Sequence, residues 1–352
     1  MYIPREWGKR IQAGFANTAI YPPFFYLPAA AAIATARAAD LTVLQGLTMA
    51  RIAGSLVSIA VATLAIVLAD EAAIWLFAVL LLPMSLCLTA ALSQDAPMLA
   101  TTALAIALCR RAAQVAATPT LLAAASLLLA LVAMARPPYV AFGLLLLAAR
   151  APWRHRLAAA GAVLAATLAW SALVTSLIRF PRWGDLIVNP ALQLHGLLAA
   201  PWQSVAIIQN TYRLSAAILL KEFIGTPGWN DVGLPTRYFP MALCMLAAAG
   251  AVAMRGADLS RRAALLVPGA ILIAAVAIGF LQYLTWTSVG APSVDGIQGR
   301  YFLAPALLLA ALPPRPPATA PRWSRALQAG VLAFPIVSIP VTLHAIAVRY
   351  YF

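Results

Sequence analysis

Long apolar runs recur along the chain, and they constrain its fold more than any other feature. Many are about 17–25 residues long, the length that an α-helix needs to cross the hydrocarbon core of a bilayer. The chain has 352 residues, of which 63% are hydrophobic and 10% charged, and its mean hydropathy is +0.89. A water-soluble protein of this size has too little interior to bury so much apolar surface. The sequence therefore predicts an all-α fold, a polytopic transmembrane helical bundle.

Roughly ten or eleven hydrophobic segments make up the predicted bundle, and several are too short for a straight crossing of about 20 residues. No repeat with a period of roughly 20–50 residues divides the chain, so we treat residues 1–352 as a single integral membrane domain. The predicted segments are residues 24–39, 41–69, 72–92, 97–109, 119–135, 139–149, 157–178, 238–254, 263–284, 301–312 and 326–347.

The formal charge of +14 comes from arginines in short loops between the apolar runs, so it does not indicate nucleic acid as a partner. Basic loops favour the inner side of a membrane, and contact with anionic lipid headgroups fits them. We therefore predict that 150–156 and 255–262 lie inside and that the mixed segment 179–237 is an outer loop region. Its apolar piece, 203–220, contains polar side chains, so we expect it at the outer interface or docked on the bundle.

A polar stretch rich in glycine and proline runs from Lys221 to Pro235, between the apolar piece and the next predicted span. Non-helical backbone does not lie against lipid, because its N–H and C=O groups would lack partners there. This stretch is therefore expected outside the bilayer or lining a cavity, and an active face of the protein would include it.

Four short motifs follow one another along the chain in a characteristic order and spacing. They are Asn17–Pro28 with Tyr21-Pro22-Pro23; Leu82-Pro83-Met84 with Ser93-Gln94-Asp95-Ala96; Phe223-Ile224-Gly225 with Gly228-Trp229 and Leu234-Pro235; and Ile297-Gln298-Gly299-Arg300-Tyr301-Phe302-Leu303. Together they resemble the bacterial membrane proteins grouped as domain of unknown function (DUF) family 2142. The resemblance covers nearly the whole chain and implies a multi-pass protein of the bacterial inner, or plasma, membrane.

That family is similar in turn to the GT-C class of glycosyltransferases. The resemblance implies transfer of a sugar from a polyprenyl-phosphate carrier during assembly of cell-envelope polysaccharide or glycoconjugate, with membrane lipid and the carrier-linked donor as partners. Members of the family usually begin with an extra N-terminal span and an acidic outer loop. Glu6 is the only acidic residue before Tyr21 here, which suggests a late start, a truncated gene or an inactive relative.

Glycosyl transfer needs a carboxylate that accepts the proton of the acceptor hydroxyl. Three acidic residues are the candidate catalytic groups: Asp95 between two apolar runs, and Glu222 and Asp231 in the polar stretch. An acid among apolar residues is costly unless it faces water or a partner. The alternative for Asp95 is an ordinary helix N-cap before Ala96-Pro97, and the alternative for the other two is a solvated loop charge.

Transfer also needs cations that hold the departing phosphate, and the guanidinium fork of arginine suits that task. Arg136 and Arg300 are the candidate phosphate ligands, while Lys221, Trp229 and Tyr301 are candidates for binding other parts of the substrate. Arg136 could instead contact a lipid headgroup, and Lys221 could extend to the membrane interface.

A divalent metal could share the phosphate-binding task, although neither the histidines nor the cysteines have the spacing of a metal site, and no cofactor is identified. Two alternatives to a glycosyltransferase stay open. One is a transporter or lipid flippase, because short segments broken by proline also occur in transporter cores. The other is a non-enzymatic membrane partner of an envelope assembly complex.

Overall fold

A computed structural model describes residues 7–8, 16–178, 188–255, 261–312 and 322–352. These residues form helices joined by short connections, with one isolated bridge between Ala116 and Arg150 and no strand. Four helices in the described part are long and apolar enough to cross a membrane, or up to six if each of two bent helix pairs is one span. The predicted all-α, polytopic architecture is confirmed.

Thirteen helices, besides single turns, carry the architecture of the described residues. They are α1 (Leu27–Ala38), α2 (Val43–Leu68), α3 (Ala73–Leu80), α4 (Pro83–Ala90), α5 (Asp95–Gln114), α6 (Pro119–Ala135), α7 (Trp153–Leu177), α8 (Pro190–Ala199), α9 (Pro201–Gly225), α10 (Tyr238–Ala253), α11 (Arg261–Thr285), α12 (Gly299–Ala311) and α13 (Arg322–Tyr351), with a 3-10 helix at Pro137–Ala148 between α6 and α7.

The long helices α2, α7, α11 and α13 expose most of their apolar side chains. Leu168 of α7 is 60% exposed and Leu265 of α11 is 74% exposed, for example. A soluble protein would bury such residues. Their exposure fits helices that face lipid around a core formed by the shorter segments.

Two segments that look continuous in the sequence are sharply bent. Residues 72–92 were predicted as one run, but Asp70–Leu80 and α4 meet at an angle of 74°. Pro83 disfavours a helical conformation at the residue before it, and Leu82 is extended, with φ −59° and ψ 145°. The pair α8 and α9 bends by 110° at Pro201 for the same reason.

The apolar piece expected at 203–220 is longer than predicted, because α9 continues to Gly225. The first five residues of the polar stretch, Lys221 to Gly225, are therefore helical, and only the part after Thr226 is irregular. The beginning of the predicted outer loop, residues 179–187, and part of the second basic cluster, residues 256–260, lie outside the described residues.

The 3-10 helix after α6 is unusually long at 12 residues, since such runs rarely exceed three or four residues. A 3-10 helix rises about 2.0 Å per residue, so this one spans roughly 24 Å instead of the roughly 18 Å of an α-helix. It packs beside α6, α7 and α11.

A buried arginine links the C-terminal ends of two core helices, α5 and α12. Helix α5 was predicted to stop at Arg110, but it continues to Gln114, and Arg110 is only 2% exposed. Its guanidinium donates hydrogen bonds to the carbonyl oxygens of Ala310 and Leu312 and pairs with Glu71 at 3.1 Å. An unpaired buried charge would be costly, so these partners explain why the arginine is tolerated inside the bundle.

The core helices therefore have two distinct ends. One end, here called the basic end, carries Arg110 with Arg150 and Arg156, which bond to the last turns of α5 and of the 3-10 helix. At the other end, α5 and α12 begin and α6 ends. It carries Asp95, Arg136 and Arg300 and is here called the cluster end. Along α5, the 15 residues from Asp95 to Arg110 separate the two ends by roughly 22 Å.

Candidate functional site

Three charged side chains from three separate segments meet at the cluster end. Asp95 is the first residue of α5, Arg136 follows the last residue of α6, and Arg300 lies in the first turn of α12. One carboxylate oxygen of Asp95 accepts a hydrogen bond from Arg136 at 2.7 Å, and the other lies 3.9 Å from a guanidinium nitrogen of Arg300. The cluster thus links the beginning or end of three core segments.

Asp95 is not the N-cap that the sequence allowed as an alternative. Gln94 occupies the cap position of α5 and makes no side-chain cap hydrogen bond, while Asp95 is already helical. The Ser93 hydroxyl accepts a hydrogen bond from the backbone N–H of Asp95 instead. The carboxylate of Asp95 is therefore free to hold both arginines, and its negative charge also suits the first turn of a helix.

The aromatic ring of Tyr301 also contacts the Arg136 guanidinium. The Arg136 guanidinium lies 4.4 Å from the centre of the Tyr301 ring, and that of Arg300 lies 5.8 Å from the same ring. The hydroxyl of Tyr139 donates a hydrogen bond of 2.8 Å to the backbone carbonyl of Tyr301. Stacking of a cation on an aromatic face adds to the ion pair and fixes the plane of the guanidinium.

The two arginines differ in how firmly they are held. The side chain of Arg136 is 16% exposed and has a short ion pair, whereas that of Arg300 is 34% exposed and its closest contact with Asp95 is 3.9 Å. The Nε of Arg300 is buried and makes no hydrogen bond with the described residues. With two guanidinium groups and one carboxylate, the cluster carries a net charge of +1, which favours an anion as its ligand.

A small cavity of about 10 Å³ lies beside the cluster. Asp95, Arg136 and Arg300 line one part of it, and apolar side chains such as Leu88 and Leu303 line the rest. The cavity, which has room for about one water molecule, therefore joins the charged groups to apolar side chains.

Glu222 lies next to the cluster because its carboxylate bonds to the backbone of α12 one residue before Arg300. Its carboxylate accepts a hydrogen bond from the N–H of Gly299 at 2.6 Å and another from the side-chain amide of Asn230 at 3.2 Å. A Cβ added to Gly299 would collide with the carbonyl oxygen of Leu219 and the amide nitrogen of Phe223. The absence of a side chain at Gly299 thus lets α9 pack directly on the beginning of α12, one residue before Arg300.

Asp231 belongs to a different set of contacts. Its carboxylate accepts hydrogen bonds from the backbone N–H of Trp229, the Nε of Arg349 and the hydroxyl of Tyr350. The hydrogen bond from Tyr350, followed by those from Trp229 and Arg349, lowers the pKa of Asp231 below its usual 3.8. These bonds tie the irregular turn after α9 to the last turn of α13.

Trp229 and Lys221, two other candidates from the sequence, are exposed. The Trp229 side chain is 96% exposed although its backbone is held by Asp231. The turn is tight, since Gly228 has φ +73° and a Cβ there would collide with Asp231 and Tyr350. The Lys221 ammonium lies 5.9 Å from the Phe239 ring. The structure thus brings together Asp95, Arg136, Arg300 and Tyr301, with Glu222 beside them, and places Asp231 in a separate contact.

Sequence reasoning missed several polar residues at the cluster. Tyr21 and Tyr26 lie within electrostatic range of Asp95 and Arg136. The hydroxyl of Tyr139 donates a hydrogen bond to the backbone carbonyl of Tyr301. Each lies near a Pro-Pro pair, and none was named from the sequence as a candidate site residue. Aromatic residues flanking such pairs at helix ends were the available signal.

The described residues do not fit a resident metal ion. No group of three or more His, Cys, Asp or Glu side chains among them could hold one. The carboxylate of Asp95 is already neutralised by two guanidinium groups, whose positive charge would repel a divalent cation.

Comparison with known proteins identifies the family. The model of the family described as "Predicted membrane protein (DUF2142)" matches residues 5–309, which is most of the chain. No curated protein and no solved structure matches. The chain therefore belongs to the DUF2142 family and is a multi-pass membrane protein, as its sequence motifs and its apolar helices indicated.

Proposed function

We propose that this DUF2142 protein binds a polyprenyl-phosphate-linked sugar and acts as a GT-C-like glycosyltransferase in assembly of the bacterial cell envelope, in the inner membrane. The observation that carries the proposal is the cluster of Asp95, Arg136 and Arg300. A net positive charge among apolar helices is costly without a counterion, and arginine binds phosphate with two parallel hydrogen bonds. The family membership and the motif around Arg300 support the same reading.

In this proposal the two arginines have different tasks. Asp95 and the Tyr301 ring hold Arg136 in a fixed orientation, so it provides a preorganised half of the phosphate site. Arg300 is only loosely paired, so its side chain moves to enlarge the small cavity and contacts the phosphate as well. Binding then replaces a long ion pair of Arg300 with a short one.

The depth of the cluster suits a lipid headgroup. The cluster lies roughly 22 Å along α5 from the basic end, and the hydrocarbon core of a bilayer is about 30 Å thick. With Arg110 at one boundary, the cluster lies about 8 Å from the opposite boundary, between that boundary and the middle of the core. A carrier phosphate at that interface reaches the arginines while its chain remains among lipids.

Transfer requires a proton acceptor as the acceptor oxygen bonds to the sugar C1 and the bond between C1 and the carrier phosphate oxygen breaks. Asp95 and Asp231 are each paired with an arginine, which makes them weak proton acceptors. Glu222 bonds only to neutral donors and lies beside the turn that carries Arg300. We assign it the role of base, with the leaving phosphate held by Arg136 and Arg300, and exposed Trp229 as a surface for the acceptor sugar.

One observation favours a second candidate function. All three candidate carboxylates accept hydrogen bonds within the protein, so each already contributes to the fold. A carrier-binding membrane partner of an envelope assembly complex, with no chemistry of its own, would use the cluster in the same way and would need no base.

The experiment measures binding of undecaprenyl phosphate to the purified protein in lipid nanodiscs. Arg300→Lys keeps the charge but loses the fork, so we expect affinity to fall about tenfold, which corresponds to about 1.4 kcal/mol. Arg349→Lys is the matched control, because Arg349 pairs with Asp231 outside the cluster, and its affinity should equal that of the wild type. Absence of binding by the wild type, or equal loss in both variants, would contradict the proposal.

A further inference from the structure

Two glutamines flank the charged cluster in sequence and leave polar atoms without partners. Gln94 immediately precedes Asp95, and Gln298 precedes Arg300 by two residues. Since Asp95 and Arg300 meet, the beginnings of α5 and α12 bring both glutamines to the cluster end. The side chain of Gln94 is 2% exposed, yet neither its amide nitrogen nor its carbonyl oxygen makes a hydrogen bond with the described residues. The carbonyl oxygen of Gln298 is also buried and unbonded.

Buried polar atoms of this kind are costly. An unsatisfied buried donor or acceptor destabilises the folded protein, and leucine of similar size would avoid that cost. Exchanging the nitrogen and oxygen positions of the Gln94 amide would not help, because both atoms are unbonded. The stability of the ligand-free protein therefore does not explain why a glutamine is found there.

The unbonded atoms also define the chemistry of a ligand. A phosphate group at neutral pH offers acceptor oxygens, so it can satisfy the Nε of Arg300. It has no donor for the carbonyl oxygens of Gln94 and Gln298. A hydroxyl group both donates and accepts hydrogen bonds, so it matches the two halves of the Gln94 amide.

We infer that Gln94 and Gln298 bind hydroxyl groups of the sugar on the carrier, next to the phosphate held by Arg136 and Arg300. This inference rests on the proposed carrier binding and makes the two glutamines determinants of specificity. They would discriminate a glycosylated carrier from the bare carrier phosphate. A site built to hydrogen-bond hydroxyl groups disfavours a ligand that lacks them, because its own polar groups then stay unpaired.

The test compares two kinds of probe in the same nanodisc assay: undecaprenyl phosphate, and undecaprenyl phosphate carrying glucose, mannose or arabinose. Wild-type protein should bind at least one glycosylated carrier more tightly than the bare one. In Gln94→Leu and in Gln298→Leu, affinity for that carrier should fall about tenfold, the effect of losing one or two hydrogen bonds. Affinity for bare undecaprenyl phosphate should stay unchanged.

Gln114→Leu is the matched control, because the side-chain nitrogen of Gln114 is also buried and unbonded but lies at the far end of α5. It should bind every probe as the wild type does. The ligand-free Gln94→Leu protein should also melt at the same temperature as the wild type or higher. A marked fall in its melting temperature would show that the amide serves the fold, and would overturn the inference.

The outcomes separate the two proposals. If the wild type binds neither kind of probe, the proposed function itself fails. If the wild type binds all carriers equally, or if Gln94→Leu weakens bare and glycosylated carriers alike, carrier binding stands and hydroxyl recognition by these glutamines is wrong.

Discussion

Glu222 accepts a hydrogen bond of 2.6 Å from the backbone N–H of Gly299. The bond joins α9 to the first turn of α12 one residue before Arg300. A free N–H at the beginning of a helix needs an acceptor, and a carboxylate there also complements the helix dipole. Glu222 therefore has two roles at the cluster. It positions the turn that carries Arg300, and it is the proposed base.

Substitutions of Glu222 separate those two roles. Glu222→Gln keeps an oxygen that accepts the Gly299 hydrogen bond but takes up no proton, so it should bind undecaprenyl phosphate like the wild type while losing sugar transfer. Glu222→Ala removes both and should weaken binding several-fold as well. Binding and transfer are measured on the same preparations. Transfer at the wild-type rate by Glu222→Gln would show that another group accepts the proton.

The apolar pattern predicted the spans well because the bilayer restricts the structures that a spanning segment can adopt. A crossing helix needs about 20 apolar residues, and the run 157–178 accordingly appears as Trp153–Leu177. The break at Pro83 was missed since the residues on both sides are apolar. Apolar content alone does not show where the axis of a helix changes direction. The long 3-10 helix was missed for a similar reason, because its extra rise is set by the packing of neighbouring helices.

Charges in apolar sequence pointed to Asp95 and Arg136, because each would be costly without a partner, and the family motif pointed to Arg300. Sequence did not provide their pairing, since Asp95 and Arg136 are 41 residues apart and are joined only by the antiparallel packing of α5 and α6. The contact of Asp231 with Arg349 was also unpredicted. It depends on where the last turn of α13 reaches, which loop composition does not indicate.

Asp95 and Arg136 should be strongly coupled in stability. Removing one partner of a buried ion pair leaves the other uncompensated and costs about 3–5 kcal/mol. Asp95→Ala and Arg136→Ala should each destabilise the protein, and the double variant should cost less than the sum by about 1–3 kcal/mol. Unfolding in nanodiscs or detergent measures the cycle. The corresponding cycle for the more exposed pair Asp231 and Arg349 should give a clearly smaller coupling; equal coupling in both would contradict the assignment of the buried cluster.

The turn that carries Trp229 should loosen in acid. Hydrogen bonds lower the pKa of Asp231 from 3.8 in the folded protein, so its contribution to stability is complete above about 3.8 and is lost as pH falls further, through the lower folded-state pKa. The difference in fluorescence between wild type and Trp229→Phe reports the environment of that side chain. It should be constant from about pH 7 to 4 and change below that range. In an Asp231→Asn background the acid transition should be absent; a transition of equal size there would assign it to another group.

The basic end should face the cytoplasm and the cluster end the outside. Arg110, Arg150, Arg154 and Arg156 gather at or near one end of the core helices, and cytoplasmic loops carry an excess of such residues. In a variant without Cys87, Cys109 and Cys244, single cysteines at the exposed positions Arg154 and Thr236 test this in intact cells with a membrane-impermeant maleimide. Thr236→Cys should react and Arg154→Cys should react only after the membrane is permeabilised. The reverse pattern would place the arginine cluster on the cytoplasmic side, where a carrier whose sugar is transferred outside the cell would not reach it.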